Sequence, residues 1–204
     1  MKKLIKSIIL ILLFGTSVHG WEIEGRISQM LYNDPEIRAG NSIEIRAKHK
    51  GLFIFGEQDN LLMYGNYFDI DSIGLGFEQE IADGFLGYLK VGYYMPQYDK
   101  NNFSREGLGY AQNRYWVPTH HTTWFDYYNV EFDSNIGGEM GFDFNRRIWK
   151  SLYLGISAGY RYLKINEFIC GWNDGGAPGL TGWIMEQNRD FGGYKAAALI
   201  EWRF

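Results

Sequence analysis

The sequence predicts an all-β fold: an antiparallel up-and-down transmembrane β-barrel of eight strands, with ten as the alternative. Three observations carry the prediction. Seven of eight strand-like segments alternate apolar and polar residues with a period of two, the repeat of a sheet whose two faces meet different surroundings. The links between them alternate short and long, as they do when strands run up and down through a bilayer. Aromatic residues gather at both ends of the segments, where a half-wet interface suits an amphipathic ring.

In chain order, residues 1–20 stand apart. Lys2, Lys3 and Lys6 precede an apolar run from Ile8 to Phe14, and Val18 and Gly20 follow it. This is the pattern of a cleaved signal peptide, with a run too short to cross a bilayer as a helix; a retained anchor is the alternative. Residues 21–204 are then the barrel domain.

The first segment sets Trp21, Ile23, Gly25 and Ile27 against Glu22, Glu24, Arg26 and Ser28. The second sets Ile43, Ile45 and Ala47 against Glu44, Arg46 and Lys48. The third, Gly51 to Glu57, is apolar at both parities and its sides stay open. Ile73, Leu75, Phe77 and Ile81 oppose Gly74, Gly76, Glu78 and Glu80 in the fourth; Phe85, Leu89, Val91 and Tyr93 oppose Tyr88, Lys90 and Gly92 in the fifth. The sixth places Met140, Phe142 and Phe144 against Glu139, Gly141, Asp143 and Asn145. The seventh places Leu154, Ile156, Ala158, Tyr160 and Tyr162 against Gly155, Ser157, Gly159 and Arg161. The last runs Tyr194, Ala196, Ala198, Ile200, Trp202 and Phe204 against Lys195, Glu201 and Arg203. A helix is a poor reading, because charges recur at every second residue and interior Gly weakens a helix.

Short links fall at 49–50, 82–83 and 147–150, and long ones at 31–41, 59–71, 95–135 and 164–189. With the short turns on the periplasmic side, Trp21, Phe85, Trp149, Trp202 and Phe204 mark the inner rim. Tyr32, Tyr93, Tyr94, Tyr160, Tyr162 and Tyr194 mark the outer one.

The chain carries a net charge of −4, which becomes −7 without the three lysines of the leader. Such an acidic balance argues against a nucleic-acid partner. Cys170 stands alone, so no internal disulfide can form, and it reads as an unpaired loop thiol.

The chain ends Ala198-Leu199-Ile200-Glu201-Trp202-Arg203-Phe204, with a terminal Phe in phase with the apolar residues before it. This resembles the closing strand of bacterial outer-membrane barrels, and the whole of 21–204 resembles the small OmpA/OmpX-type barrels. The resemblance implies that Tyr194, Ile200, Trp202 and Phe204 form the signal read by the barrel-assembly machinery. It also implies a place in the outer membrane, with lipid as a partner.

If the apolar faces meet lipid, the charges share a narrow interior. They are Glu22, Glu24, Arg26, Glu44, Arg46, Lys48, Glu78, Glu80, Lys90, Glu139, Asp143, Arg147, Arg161, Lys195, Glu201 and Arg203. Eight strands leave room only for side chains, and buried charges must pair, so the interior is expected to be plugged. The opposing reading is a soluble sandwich or lipocalin-like barrel. There Phe77, Phe142 and Ile156 would gather in a core, while Glu78, Asp143 and Arg161 faced water.

The 95–135 loop carries Trp116, His120, His121, Trp124 and Tyr127, read as surface-contact residues because Trp and Tyr favour interfaces. A metal site at His120, His121 and Asp126 is the sharper reading, but adjacent histidines diverge on an extended chain. Residues 108–117 and 123–135 could add a hairpin and make ten strands. The Gly-rich stretch 171–179 reads as a turn. The leading expectation is therefore a non-enzymatic, cofactor-free structural or surface-interaction protein whose ligand or protein partner is unspecified. A lipid A-modifying enzyme and a narrow pore for small solutes are the alternatives.

Overall fold

The computed structural model describes residues 20–35, 37, 39–63, 66–97, 127–172 and 183–203. The leader residues 1–19, Phe204, Trp116, His120, His121 and Trp124 lie outside them.

Eight antiparallel strands close on themselves: β1 (Trp21–Tyr32), β2 (Gly40–His49), β3 (Leu52–Met63), β4 (Asn66–Ala82), β5 (Phe85–Gln97), β7 (Asn135–Trp149), β8 (Leu152–Tyr162) and β11 (Gly193–Arg203). Their order around the wall is β1-β11-β8-β7-β5-β4-β3-β2. Closure occurs between the first and last strands, with Gly25 opposite Ile200 and Ile27 opposite Ala198. No backbone edge is then left among these strands, which is the condition for a sheet to stand in hydrocarbon. The short turns are built for it. Lys50 and Gly51 both have positive φ (51° and 81°), the two-residue turn whose twist matches a hairpin. The turns Asp83-Gly84 and Lys150-Ser151 close the other two hairpins at this end.

The faces sort as the alternation demands. Phe77, Phe142 and Ile156 are 48%, 53% and 66% exposed on the outer surface, whereas Glu78, Asp143 and Arg161 are buried. A soluble protein does not wrap itself in a belt of exposed Ile, Leu and Phe. The belt identifies a bilayer as the surrounding medium, and the soluble-sandwich alternative fails.

Three expectations change. The third segment resolves: Phe53 and Phe55 point inward with Glu57 and Asp59, while Leu52 and Ile54 point out. The expected 59–71 loop is instead strand, since β3 runs to Met63 and β4 begins at Asn66. The expected 164–189 loop is largely β9 (Lys164–Trp172) and β10 (Trp183–Asp190), so Cys170 sits on a strand opposite Ile184. Together with β6 (Tyr127–Phe132), these form a separate three-stranded sheet in the order β10-β9-β6. That order repeats β11-β8-β7 below it. Backbone bonds across the bend tie the two together: Phe191 N donates to Leu163 O at 2.8 Å, and Asp133 N to Asn166 O at 3.0 Å. The barrel therefore has eight strands and not ten; β6 extends the wall upward instead of widening it.

An apolar cluster fills the space where the extension meets the barrel. It contains Ile37, Leu61, Met63, Phe68, Ile70, Tyr94, Leu163, Ile165 and Phe191. Phe68 stacks on Phe191 at 5.7 Å and meets Phe132 edge-on at 4.8 Å. Two of the expected outer-rim tyrosines belong here instead of facing lipid. Tyr94 is fully buried and Tyr32 packs against the cluster. The reason is strand geometry: Tyr93 and Tyr94 are consecutive, so only one can face outward, and Tyr93 does.

Candidate functional site

Six buried cations (Arg26, Arg46, Lys48, Lys90, Arg161, Lys195) and eight buried carboxylates (Glu24, Glu44, Glu57, Asp59, Glu78, Glu139, Asp143, Glu201) occupy the lumen among the described residues. Each stands on the inward parity of its strand.

They form one network with two centres, joined through Glu44. In the middle of the barrel, Lys90, Lys195 and Arg161 share Glu44, Glu57 and Glu139. Lys90 Nζ lies 2.8 Å from Glu44, 2.9 Å from Glu57 and 3.2 Å from Glu139. Lys195 Nζ reaches Glu44 at 3.1 Å and Glu139 at 3.4 Å, and also bonds Glu57. The Arg161 fork donates to Glu57 at 2.6 Å and to Asp59. Nearer the short turns, Arg26 joins Glu24 (2.5 Å) to Asp143, and Arg46 pairs with Glu44. Lys48 binds Glu24, Glu78 and Glu201 at 3.0, 3.0 and 2.6 Å.

Aromatic rings fill the gaps. The Arg46 guanidinium lies 4.4 Å from the Phe53 ring centre and 4.6 Å from that of Tyr88. Lys90 Nζ lies 4.5 Å above Phe55. A cation held over a ring face recovers part of its lost hydration, which accounts for the Arg46 Nη atoms lacking hydrogen-bond partners. Glycines make room for the rings. A Cβ on Gly76 would collide with the Phe53 ring, and one on Gly159 would collide with the Tyr88 hydroxyl.

Of the charges expected inside, Glu44, Arg46, Glu78, Lys90, Glu139, Asp143, Arg161, Lys195 and Glu201 are buried there. Glu80 and Arg147 are corrections: both are exposed at the short-turn rim. Each stands two residues before the end of its strand, where inward parity opens onto solvent. Arg203 is half-exposed at the same rim, bonded to Glu201 and 3.4 Å from Glu22. Sequence reasoning missed Glu57 and Asp59. Their parity with Phe53 and Phe55 was the available signal, hidden because inward aromatics look like lipid-facing ones.

Of the expected assembly-signal residues, Tyr194, Ile200 and Trp202 project outward on β11. Tyr127 opens β6, paired with Trp172. His49 stacks on Trp21 at 5.3 Å at the short-turn end. Among the described residues, no group of three His, Cys, Asp or Glu side chains could hold a metal ion.

No family model and no curated protein matches the chain. Solved structures do. The outer membrane protein OprG from Pseudomonas aeruginosa is similar with a TM-score of 0.53 at 10% identity, over 91% of this chain and 96% of that one. A major outer membrane protein from Thermus thermophilus follows at 0.48 and 10%, over 91% and 100%. The outer membrane protein AlkL gives 0.45 and 9%, over 91% and 90%. At such identity the likeness to OprG concerns fold alone. Closed eight-stranded wall, lipid-facing belt and ionic interior agree with it: by its fold, this chain is a small β-barrel of the outer-membrane kind.

Proposed function

We propose that the protein is a closed barrel of the bacterial outer membrane that anchors a structural or surface-interaction module, and is neither a conducting pore nor an enzyme. One observation carries the reading: the lumen is filled by paired charges and capped at its outer end by the apolar cluster. Such an interior offers no continuous water path, and opening one would separate buried ion pairs. Above the cap, the β10-β9-β6 sheet is tied down by polar contacts. Arg189 Nη1 reaches Asp34 at 3.2 Å, and Asn33 Nδ2 donates to Asp190 at 3.2 Å. A rigid platform suits contact with a partner, because little entropy is lost on binding. Outer-membrane lipid surrounds the belt, and the assembly machinery acts on the β11 signal.

Planar-bilayer recordings of the refolded protein should show no stable porin-sized conductance; large steady openings would refute the reading. On intact cells, added protease should clip the chain within 98–126, and full protection of that segment would overturn the outward orientation. Replacing His120 and His121 together with Ala should leave the lipid A pattern of the cells unchanged.

A further inference from the structure

The charges at the short-turn end are sorted by face. Among the described residues there, Glu22, Glu78, Glu80 and Asp83 border the mouth of the lumen, and Glu201 is buried inside it. Two cations turn the other way. Arg146 borders the mouth at its place in β7, but its guanidinium lies 5.7 Å from the ring centre of Phe144, two residues back on the same face, which projects into lipid. Lys150, in the β7–β8 turn, holds its Nζ 5.3 Å from the Trp149 ring centre. Neither cation forms an ion pair with a described carboxylate.

A bulge builds this spot. The register of β7 against β8 slips by one between Arg147, opposite Tyr153, and Trp149, opposite Leu152. Strict alternation from Asn145 and Arg147 would turn Trp149 inward. The extra residue turns it outward beside Leu152, and Ile148 and Trp149 are 54% and 64% exposed. An outward Trp at the rim marks the level where hydrocarbon meets headgroups. Arg146 is rooted three residues deeper on the same strand, about 10 Å along it and roughly 7 Å along the membrane normal for a strand tilted by about 40°. A cation rooted at that depth must reach back to the interface, and it is costly there unless an anion meets it.

We propose that Arg146, Trp149 and Lys150 seat one anionic glycerophospholipid, of the phosphatidylglycerol class, from the leaflet at the short turns. The proposal rests on the bilayer reading of the belt. The guanidinium fork suits two phosphate oxygens, and the Lys150 ammonium adds a second positive charge. Ile148 and Trp149 offer apolar surface to the glycerol and the upper acyl chain. A zwitterionic lipid brings its own ammonium to the same two cations and gains less.

The test uses the full barrel refolded in a non-ionic detergent, titrated with short-chain phosphatidylglycerol or phosphatidylcholine and followed by NMR at the Trp149 indole and the Lys150 amide. Phosphatidylglycerol should shift both saturably, with roughly ten-fold higher affinity than phosphatidylcholine. A cation near an anionic lipid is worth about five-fold. Arg146→Gln and Lys150→Gln should therefore each weaken phosphatidylglycerol binding about that much, and together they should remove the preference. Lys50→Gln is the control, since the β2–β3 turn lies opposite the β7–β8 turn around the ring. All three residues are exposed, and heat-modifiable migration checks that the variants fold. Equal affinity for the two lipids in the native protein, a preference that survives the double variant, or an equal loss from Lys50→Gln overturns the proposal. Failure to insert into phosphatidylcholine vesicles overturns the bilayer reading, and this proposal with it.

Discussion

Arg161 shows what a single side chain contributes to a filled barrel. It reaches from β8 across the lumen to Glu57 and Asp59 on β3, with its guanidinium 5.2 Å from the Tyr94 ring centre. Replacing it with Met leaves two carboxylates facing each other in a water-poor interior. Removing one partner of a buried pair costs about 3–5 kcal/mol. Arg161→Met should therefore lower the temperature at which the folded gel band converts to the unfolded one, and Arg161→Lys should lower it less. On the opposite face the sign of burial reverses. Ile156 projects from the middle of β8 into lipid, and Ile156→Arg should cost about 2–4 kcal/mol, read from urea titration of the protein in lipid vesicles. A soluble core would not tolerate Ile156→Leu and Ile156→Phe alike, whereas a lipid-facing site should.

Among the elements, β3 and β4 depend on one another through a ring and an absence. Phe53 enters the lumen because Gly76, directly opposite on β4, has no side chain. The ring then covers Arg46. Gly76→Leu should abolish folding into detergent micelles while Phe53 is present, since a Cβ alone already overlaps the ring. Adding Phe53→Ala should restore the folded band. If the double variant stays unfolded, the glycine serves the backbone and not the ring. This pairing also explains why β3 resisted reading: both of its faces are apolar at the short-turn end, one toward hydrocarbon and one toward cations. Periodicity separates polar from apolar, but it cannot separate two apolar faces with different neighbours. The other seven segments each carried charges at one parity and were legible for that reason.

For the molecule as a whole, closure is double: ion pairs in the lumen and packed rings above it. Removing the second should leave the first intact. Phe68→Ala with Phe191→Ala deletes the stacked pair at the centre of the cap, and Phe-to-Ala changes in packed clusters cost about 3–5 kcal/mol each. Amides of β9 and β10 should then exchange faster with deuterium, while those of β1 and β2 should keep their protection. The variant should still carry no porin-sized current, because the lumen pairs lie below the cap; a large current would assign closure to the cap alone.

Residue order by itself determined an antiparallel up-and-down barrel and the face that seven of its eight strands present, because a period of two needs no partner to be read; the faces of β3 and the choice of eight strands over ten came from the structure. It also determined that the charged face must be internally paired, since the alternating faces demand opposite media. Only the tertiary structure decided which carboxylate meets which cation, because pairing across the lumen depends on register and on strands far apart in sequence. The same holds for the outer extension. Whether Tyr127–Phe132 widens the wall or rises above it, and whether 164–189 is loop or strand, depends on which strands they find as neighbours, and no local pattern encodes that.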